Sequence, residues 1–291
     1  MIRFPPKRIL VAVDLSRPSA AAWWHASLWA KRFGARLKAV HVQAPPPLDI
    51  PSVPQVPGGN RAFLRDLSAE LRRLTGGPPA DVLEGDPVVT LLRVIRSWKP
   101  DLVAMGTHGR AGLQRLVLGS VAEALMNESP VPVLAVHDEP RAESEGPVLR
   151  AVLAPVNFTP YSDQAFLYAA ALAAGFGAKL TLQHLLEGEP WDRARASEEE
   201  LIGRLPLGVR EACEPRALVS KGPVVKAIAK AAEGHDLVVL SAHRRGLVQG
   251  SLFGTTAQQL LRSVRTPLLA VPQAPAPAQF QIGRWAQTPK R

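Results

Sequence analysis

An internal repeat constrains the fold of this 291-residue chain more than any other feature. Motifs of the first half return in the second half in the same order, displaced by roughly 140 residues. The matched segments are 9–16 with 152–159, 85–88 with 221–224, 101–105 with 236–240, 118–120 with 253–255, and 131–136 with 266–271. The repeat predicts two copies of one domain, each long enough to bury a core of its own.

Within each copy, short apolar segments alternate with helical patterns. The apolar segments of the first copy are 8–13, 36–42, 80–84, 101–105 and 131–136. Their Val, Leu and Ile content is typical of strands buried on both faces of a parallel sheet, and stripes at helical spacing lie between them. The pattern predicts an α/β fold of two tandem doubly wound domains, each a five-stranded parallel sheet flanked by helices. Ligands of such sheets bind at the carboxyl ends of the strands.

The domain boundaries follow from the repeat and from the composition between its copies. We expect the first domain at 1–138, a polar linker at 139–147, the second domain at 148–273 and a Pro/Ala-rich basic tail at 274–291. Segment 44–60 holds six prolines and two glycines, which predicts a long loop after the second strand.

The net charge of +10 requires a comparison with nucleic-acid-binding proteins. Arg61, Arg65, Arg72 and Arg73 fall on one predicted helix, but aromatic residues make up only 5% of the chain and no zinc-finger pattern occurs. A solvated helix face explains these arginines, and the charge favours polyanionic ligands in general. We therefore do not expect nucleic acid as a partner.

The lengths of the apolar runs and the number of cysteines indicate where in the cell the protein is located. No apolar run approaches the roughly 18 residues of a membrane-spanning helix. The run that ends at Asp14 is also too short for the core of a secretion signal. The single cysteine, Cys213, has no partner for an intrachain disulfide and is expected to be a core or an incidental residue. These features predict a cytoplasmic protein without a membrane partner.

Four residues at fixed spacing predict a phosphate-binding loop. Gly106 and Gly109 follow an apolar strand, and Gly119 and Ser120 precede a helical pattern. Glycine lets the backbone approach a ligand closely, and the free N–H groups at a helix start favour an anion. Because neither the Walker A sequence nor the G-x-G-x-x-G fingerprint is present, the loop indicates another class of nucleotide-binding protein.

Together with the strand that ends at Asp14, this loop resembles the universal stress protein family. The nucleotide-binding members of that family carry G-x2-G-x9-G-[S/T], which Gly106, Gly109, Gly119 and Ser120 match in full. The resemblance implies an adenine-nucleotide α-hydrolase-like fold and ATP as ligand, with Mg²⁺ or Mn²⁺ held through the phosphates. It also implies a stress-response or signalling module whose partner surface responds to ATP.

The resemblance further assigns a role to each matched position. Asp14 would accept hydrogen bonds from the ribose hydroxyls, and the backbone of Val42 would meet adenine. Met105 and Gly106 would flank the ribose, whereas the later residues would hold the phosphates. The full set of expected ligand contacts is Ala12, Val13, Asp14, Val42, Met105, Gly106, His108, Gly109, Gly119, Ser120 and Val121.

Three of the residues around this site also have a purely structural explanation. Asp14 is compatible with a cap for the helix that begins near Pro18. His41 is compatible with a hydrogen-bonded residue at a strand end, and Gly106 with a simple turn. The complete glycine motif favours nucleotide binding over these separate explanations.

The second copy departs from the motif at its main positions. Asn157 takes the place of the strand-ending aspartate, and Ser241 and Arg244 take the places of the first two glycines, while 254–255 keep Gly-Thr. We expect a degenerate, structural copy, although Arg244 leaves open the binding of a different anion.

Pairing of the two copies within one chain is a further expectation. Members of the family commonly pair through their last strands, so the resemblance implies that 131–136 lies beside 268–271. The second copy then acts as a built-in partner, and a homodimer of the whole chain remains possible.

Two classes of function remain open. The first is an ATP-binding stress or signalling module; the alternative is an interaction scaffold that works without nucleotide, or a basic nucleic-acid-binding protein. We expect no enzymatic activity beyond slow hydrolysis of bound ATP, because no Walker-type lysine, general base or arginine finger is recognisable. His108 is the one residue to test for such hydrolysis. No group of acidic or histidine residues predicts a protein-built metal site.

Overall fold

The computed structural model describes residues 3–14, 16–44, 69, 72–73, 80–107, 119–137, 149–158, 160–186, 193–242 and 255–272. The predicted linker, the basic tail and most of the proline-rich loop lie outside these residues. No helix of the described part is long and apolar enough to cross a membrane.

Each copy contributes five strands to the described part of the chain. The strands of the first copy are β1 (Arg8–Ala12), β2 (Arg36–Gln43), β3 (Asp81–Glu84), β4 (Leu102–Gly106) and β5 (Val133–Val136). Those of the second copy are β6 (Ala151–Val156), β7 (Lys179–Leu186), β8 (Arg216–Lys221), β9 (Leu237–Ala242) and β10 (Leu268–Pro272). The five strands expected in the first copy are therefore confirmed.

The helices of the described part fill the intervals between the strands. In the first copy they are α1 (Arg17–Phe33), α2 (Pro87–Trp98) and α3 (Ser120–Glu128). In the second copy they are α4 (Pro160–Phe176), α5 (Arg193–Gly203), α6 (Leu207–Cys213), α7 (Val224–Ala232) and α8 (Thr255–Ser263). Local sequence sets several of the ends: Ser16 and Asp86 accept backbone N–H groups as N-caps, and Gly34 ends α1 at φ 63°.

All ten described strands form one sheet in the order β3-β2-β1-β4-β5-β10-β9-β6-β7-β8. The pairs within each copy are parallel, whereas β5 and β10 are antiparallel, with Leu134 opposite Leu269. The predicted fold class, two tandem doubly wound α/β domains, is confirmed, and the last strands pair as expected. Because the junction is antiparallel, the carboxyl ends of the two sets of strands lie at opposite edges of the sheet.

The sheet buries both of its faces. Helices α1, α4, α5 and α6 cover one, here called the α1/α4 face, and α2, α3, α7 and α8 cover the other, the α2/α3 face. Successive residues of a strand alternate between the two faces, as Val11 and Ala12 do in β1. This alternation decides which side chains can contribute to one site.

The start of β4 is tied to the start of β1 by a carboxylate, and the second copy repeats the arrangement. Asp101 Oδ2 accepts the N–H groups of Lys7 and Arg8 at 2.8 and 3.0 Å. Asp236 Oδ2 accepts those of Arg150 and Ala151 at the same two distances. These bonds explain why an aspartate opens this strand in both copies.

An aromatic cluster joins the copies on the α1/α4 face. The ring of Phe4 packs edge-on against Phe33 of α1 and Tyr168 of α4, with centroids 5.3 and 5.2 Å apart. Phe176 at the end of α4 contacts Phe33, and Arg32 Nε donates to the carbonyl of Gly175 at 2.6 Å. Edge-to-face pairs of this kind add to the free energy gained by burial, so the two copies form one continuous core.

Cys213 lies at the end of α6 inside this core. Its side chain is buried, and its thiol donates to the carbonyl of Val209. Burial raises the pKa of the thiol to about 12, so that the thiolate is absent at neutral pH. The predicted core position is confirmed.

Equivalent positions of α1 and α4 each lie within electrostatic reach of the aspartate of the other copy. His25 on α1 lies near Asp236, and Tyr168 on α4 lies near Asp101. Burial lowers the pKa of His25 to about 4, and the charge of Asp236 only partly opposes this shift. Burial also raises the pKa of Tyr168. Both side chains are therefore neutral at pH 7 in the contact between the copies.

We predict that His25 makes the protein less stable in mild acid. Its pKa is about 4 when folded and about 6.5 when unfolded, so the unfolded state binds the extra proton between these values. Stability falls as the pH drops through this window, by up to about 3 kcal/mol. Melting temperatures of the wild type and of His25→Gln between pH 7.5 and 4.5 measure the effect.

The matched control for this experiment is Tyr168→Phe at the equivalent position of α4. Tyrosine does not titrate in this range, so the control should keep the pH dependence of the wild type. Equal pH dependence in His25→Gln and the wild type would contradict the prediction.

Candidate functional site

The carboxyl ends of β1, β2 and β4 meet at one edge of the first copy. Ala12 lies opposite Val40 of β2 and opposite Met105 of β4. Ala12, Met105 and Val42 all belong to the α2/α3 face, where Val121 of α3 also packs. Four of the residues expected at the ligand therefore come together as one apolar surface, and the side chain of Met105 is already buried in it.

Asp14 sits in a turn that leads from β1 into α1. Its Oδ1 accepts the N–H of Ser16 at 2.8 Å, and its own N–H and carbonyl both contact the hydroxyl of Ser19. The N-cap of α1 is Ser16, which accepts the N–H of Ser19, so Asp14 is not the cap of this helix. Within the described part of the chain, Asp14 Oδ2 has no hydrogen-bond partner. The turn thus holds one carboxylate oxygen and leaves the other for a ligand.

The ladder between β1 and β2 stops at Ala12 and Val40. Val13 donates its N–H to the carbonyl of Val40 at 2.9 Å, and the next rung of a parallel ladder would join the N–H of Val42 to the carbonyl of Val13. That rung is absent. Because alternate residues of β2 point their backbone groups toward β1, the N–H and carbonyl of Val42 face the gap that β1 leaves, unpaired among the described residues.

The carbonyl of Val13 has a different partner, the imidazole of His41. Their distance is 2.7 Å, with Nδ1 as the ring atom, and the His41 side chain is only 6% exposed. A carbonyl can only accept, so Nδ1 carries a proton in this contact. Nε2 is buried and has no partner in the described part of the chain. His41 is a buried backbone contact rather than a ligand contact.

Gly106 is required by a close approach of two elements. A Cβ at this position would lie 2.7 Å from the Cβ of Pro18 and 2.9 Å from the N of Ser19. The first turn of α1 therefore packs directly on the end of β4, which brings the Asp14 turn next to the phosphate-loop motif. The glycine is explained by packing, and not by a turn with positive φ.

The start of α3 is open to an anion. Gly119 is its N-cap, with φ −66° and ψ 140°, and among the described residues no side-chain hydrogen bond caps the helix. The N–H of Gly119 is bonded to the carbonyl of Thr107, which anchors the helix start to the end of β4. Ser120 at the first helical position is exposed. Uncapped first-turn N–H groups and the positive end of the helix dipole suit a phosphate.

Three expected contacts need separate comment. His108 and Gly109 lie outside the described residues, so their predicted contacts with phosphate stay predictions. The side chain of Val13 is buried on the α1/α4 face, away from Ala12, Val42 and Met105. Only the backbone of Val13 adjoins the site, and its carbonyl is bonded to His41.

The second copy differs at the same backbone position. The ladder between β6 and β7 continues one pair further, to Val156 and His184. In a parallel ladder this pair requires the N–H of Leu185 on the carbonyl of Val156, so the edge that is open at Val42 is closed here. Phe158, with φ 55°, follows Asn157 and packs on the ring of His184 at 4.5 Å. The second copy is therefore closed where the first is open.

Ser241 occupies the register position of Gly106. It lies opposite Val271 of β10, as Gly106 lies opposite Val136 of β5. Its hydroxyl is buried and has no partner in the described part of the chain. Arg244 and Gly254 lie outside the described residues, so the possible binding of another anion in this copy stays a prediction.

Outside the Asp14 site, the described residues form a groove but no metal-binding cluster. They contain no group of three or more His, Cys, Asp or Glu side chains that could hold a metal ion. A groove of about 590 Å³ lies in the second copy between α7 and α8, remote in sequence from the Asp14 site. Its lining is Pro223, Val224, Val225, Lys226, Thr256, Gln259, Arg262 and Ser263, which includes two basic and no acidic side chains.

Sequence reasoning missed the contributions of Ser16 and Ser19, whereas the structural explanation for His41, a hydrogen-bonded residue at a strand end, is confirmed without its partner having been predicted. The serines form a recognisable signal, because a serine followed three residues later by a second polar side chain is typical of a helix start. The contact of His41 has no local signal, since its partner Val13 is 28 residues away in the chain. The repeat is the one available hint, because His184 makes the same contact with Val156.

Comparison with known proteins matches both copies to one family. The model described as "Universal stress protein family" matches residues 5–137 and 149–272. A universal stress protein of Mycolicibacterium smegmatis is 25% identical over 288 residues, which cover 90% of this chain and 96% of that protein. One from Thermus aquaticus is 36% identical over 138 residues, 45% of this chain and 98% of that protein.

A solved structure agrees with the fold. The crystal structure of a universal stress protein from Archaeoglobus fulgidus superimposes with a TM-score of 0.68 at 22% identity. The match covers 91% of this chain and 96% of that protein. At this identity the match supports the tandem architecture alone.

We predict that Gly106→Ala destabilises the protein by about 1–3 kcal/mol, the usual cost of overpacking. The added methyl group would collide with the Cβ and backbone carbon of Pro18 and with the backbone nitrogen of Ser19. None of these atoms can move away by rotation of a side chain. Chemical denaturation followed by circular dichroism measures the change.

Ser241→Ala, at the same register of the second copy, is the control for this substitution. It removes a buried hydroxyl without a described partner, so stability should stay equal or rise. A Gly106→Ala protein as stable as the wild type would show that α1 does not pack on β4 as described.

Proposed function

The chain belongs to the universal stress protein family, and from this premise we propose that its first copy binds an adenine nucleotide, ATP, while its second copy serves as a structural partner. The observation that carries the proposal is the open edge at Val42. A backbone N–H and carbonyl side by side can bond the Watson–Crick edge of adenine, which offers one acceptor and one donor. The second copy has no such edge, because its ladder is one pair longer.

The remaining groups of the site fit the rest of the nucleotide. Asp14 Oδ2 would accept from the ribose hydroxyls, and the apolar surface of Ala12, Met105 and Val121 would lie under the sugar and base. The uncapped start of α3 at Gly119 would accept the phosphates through backbone N–H groups. Each part of the ligand thus has a group of matching chemistry.

A divalent ion would accompany the phosphates. Mg²⁺ prefers oxygen ligands and often takes most of them from a nucleotide and water, with few from the protein. The described residues offer no cluster that would hold such an ion alone. We therefore propose that Mg²⁺ or Mn²⁺ enters with ATP, where it neutralises phosphate charge.

Turnover is not part of the proposed function. Among the described residues around Asp14, no side chain is placed as a general base for an attacking water, and no lysine or arginine is placed at the start of α3. Rapid phosphoryl transfer relies on groups of this kind. We expect occupancy to be the signal, with slow hydrolysis of bound ATP at most.

A hydrogen bond between the two copies lies close to the proposed phosphate position, at the first turn of α3. Gln258 Nε2 of α8 donates to Glu123 Oε1, and in the sequence the two residues lie four positions after Gly254 and Gly119, respectively. The carboxylate of Glu123 lies in the first turn, where a bound phosphate would act on it directly. Nucleotide occupancy can therefore alter a contact between the two copies, which supports a signalling role.

The groove between α7 and α8 favours a second function, that of a scaffold which works without nucleotide. Lys226 and Arg262 line it together with Val224 and Val225. Such a surface suits an acidic partner rather than a nucleotide base. Binding of an acidic peptide or of RNA with no effect of ATP would favour this second function.

Calorimetric titration with ATP and Mg²⁺ tests the proposed function. We predict one nucleotide per chain, and a loss of affinity of roughly 10- to 100-fold in Asp14→Ala, because a hydrogen bond to a charged group is removed. Gly119→Val should also weaken binding. The backbone at Gly119 is allowed for any residue, so this loss would report on the ligand rather than on strain.

Asn157→Ala in the second copy is the matched control, and it should bind ATP as the wild type does. No binding by the wild type, or two equivalent sites per chain, would contradict the proposal.

A further inference from the structure

We propose that His41 is a positioning residue that keeps the backbone edge of Val42 open for the nucleobase. The inference deepens the function proposed above and rests on it. His41 would not touch the nucleotide; it acts through the carbonyl of Val13. The predicted consequence is that loss of this buried imidazole closes the backbone edge that would read adenine.

The argument starts from the carbonyl of Val13. Val13 is 4% exposed, and a buried carbonyl without a partner costs roughly 1–3 kcal/mol. Two donors are in place for it: the N–H of Val42, which is next in register, and the imidazole of His41. In the structure the imidazole bonds this carbonyl and the rung to Val42 is absent.

Removal of the imidazole would change that balance. The carbonyl of Val13 would then lose its partner, and the N–H of Val42 is the donor of β2 that comes next in the parallel register. Closing the rung would satisfy both groups at once. The same rung would take up the donor that we assign to the base, so the open edge depends on His41.

The second copy shows that the imidazole alone does not open the edge. His184 Nδ1 contacts the carbonyl of Val156 at 2.9 Å, yet the ladder there includes the pair Val156 and His184. A carbonyl has two lone pairs and can accept both donors. In the first copy, the N–H of Val13 still bonds the carbonyl of Val40, and the turn held by Asp14, Ser16 and Ser19 begins directly after it. The turn thus ends the pairing of the two strands, and His41 provides the hydrogen bond that the carbonyl of Val13 would otherwise lack.

The open edge also sets the choice of base. The N–H of Val42 can donate to the ring nitrogen of adenine, and its carbonyl can accept from the exocyclic amine. Guanine carries a donor and an acceptor at the corresponding positions, in the reverse order. Two mismatched polar pairs would be buried with guanine, each at a cost comparable to a lost hydrogen bond. His41 is therefore expected to support discrimination between ATP and GTP.

Backbone amide exchange in the nucleotide-free, full-length protein is the first test. We predict fast exchange of the Val42 N–H in the wild type and at least roughly tenfold slower exchange in His41→Leu, because the rung closes. His41→Asn places an amide donor near the position of Nδ1 and should keep exchange fast. His184→Leu is the matched control, in which the Leu185 N–H should stay protected, because its rung already exists.

Binding of ATP and GTP to the same four proteins is the second test. ATP affinity and the preference for ATP over GTP should both fall by roughly tenfold or more in His41→Leu. His41→Asn and His184→Leu should bind as the wild type does. Melting temperatures show whether each variant is folded, and the Asn variant keeps the test valid if the Leu variant is not.

Several results would overturn the inference. Slow exchange of Val42 in the wild type would show that the edge is closed, and unchanged exchange in folded His41→Leu would show that the imidazole does not hold it open. Equal loss of ATP affinity in His41→Leu and His184→Leu would indicate general destabilisation. The predicted exchange pattern without any ATP binding by the wild type would instead refute the proposed function, and the base-reading role with it.

Discussion

The antiparallel pairing of β5 with β10 is the constraint on which the rest of the molecule depends. It joins two parallel half-sheets into one and brings Phe4 and Tyr168 into a shared core. It also places the carboxyl ends of the two halves at opposite edges, so each copy has its own potential site. The contact between Glu123 and Gln258 then lies where an event at one site can affect the other copy.

At the proposed site, the backbones of the two copies differ by one pair of residues in the ladder between the first two strands of each copy. In the first copy the ladder ends at Ala12 and leaves Val42 unpaired among the described residues, whereas in the second it continues to Val156. Loss of an aspartate and two glycines is the difference visible in the sequence. The backbone difference is the physical reason why we assign the nucleotide to one copy, since a paired N–H is no longer available to a base.

The sequence alone predicted the strands and the helix start at Gly119 well, because apolar period and glycine placement are local signals. It did not predict the end of the β1–β2 ladder, which depends on hydrogen bonds between residues far apart in the chain. Gly106 shows the same limit: its spacing indicated a ligand, but the steric reason for it is the approach of Pro18. The roles of His108 and Gly109 remain predictions, as they lie outside the described residues.

A crystal structure determined in the presence of excess ATP and Mg²⁺ tests the central claim most directly. The account predicts one nucleotide per chain, with adenine hydrogen-bonded to the backbone of Val42, the ribose at Asp14 and the phosphates at the start of α3. A nucleotide found in the second copy, or a first copy in which the N–H of Val42 is bonded to the carbonyl of Val13, would contradict it.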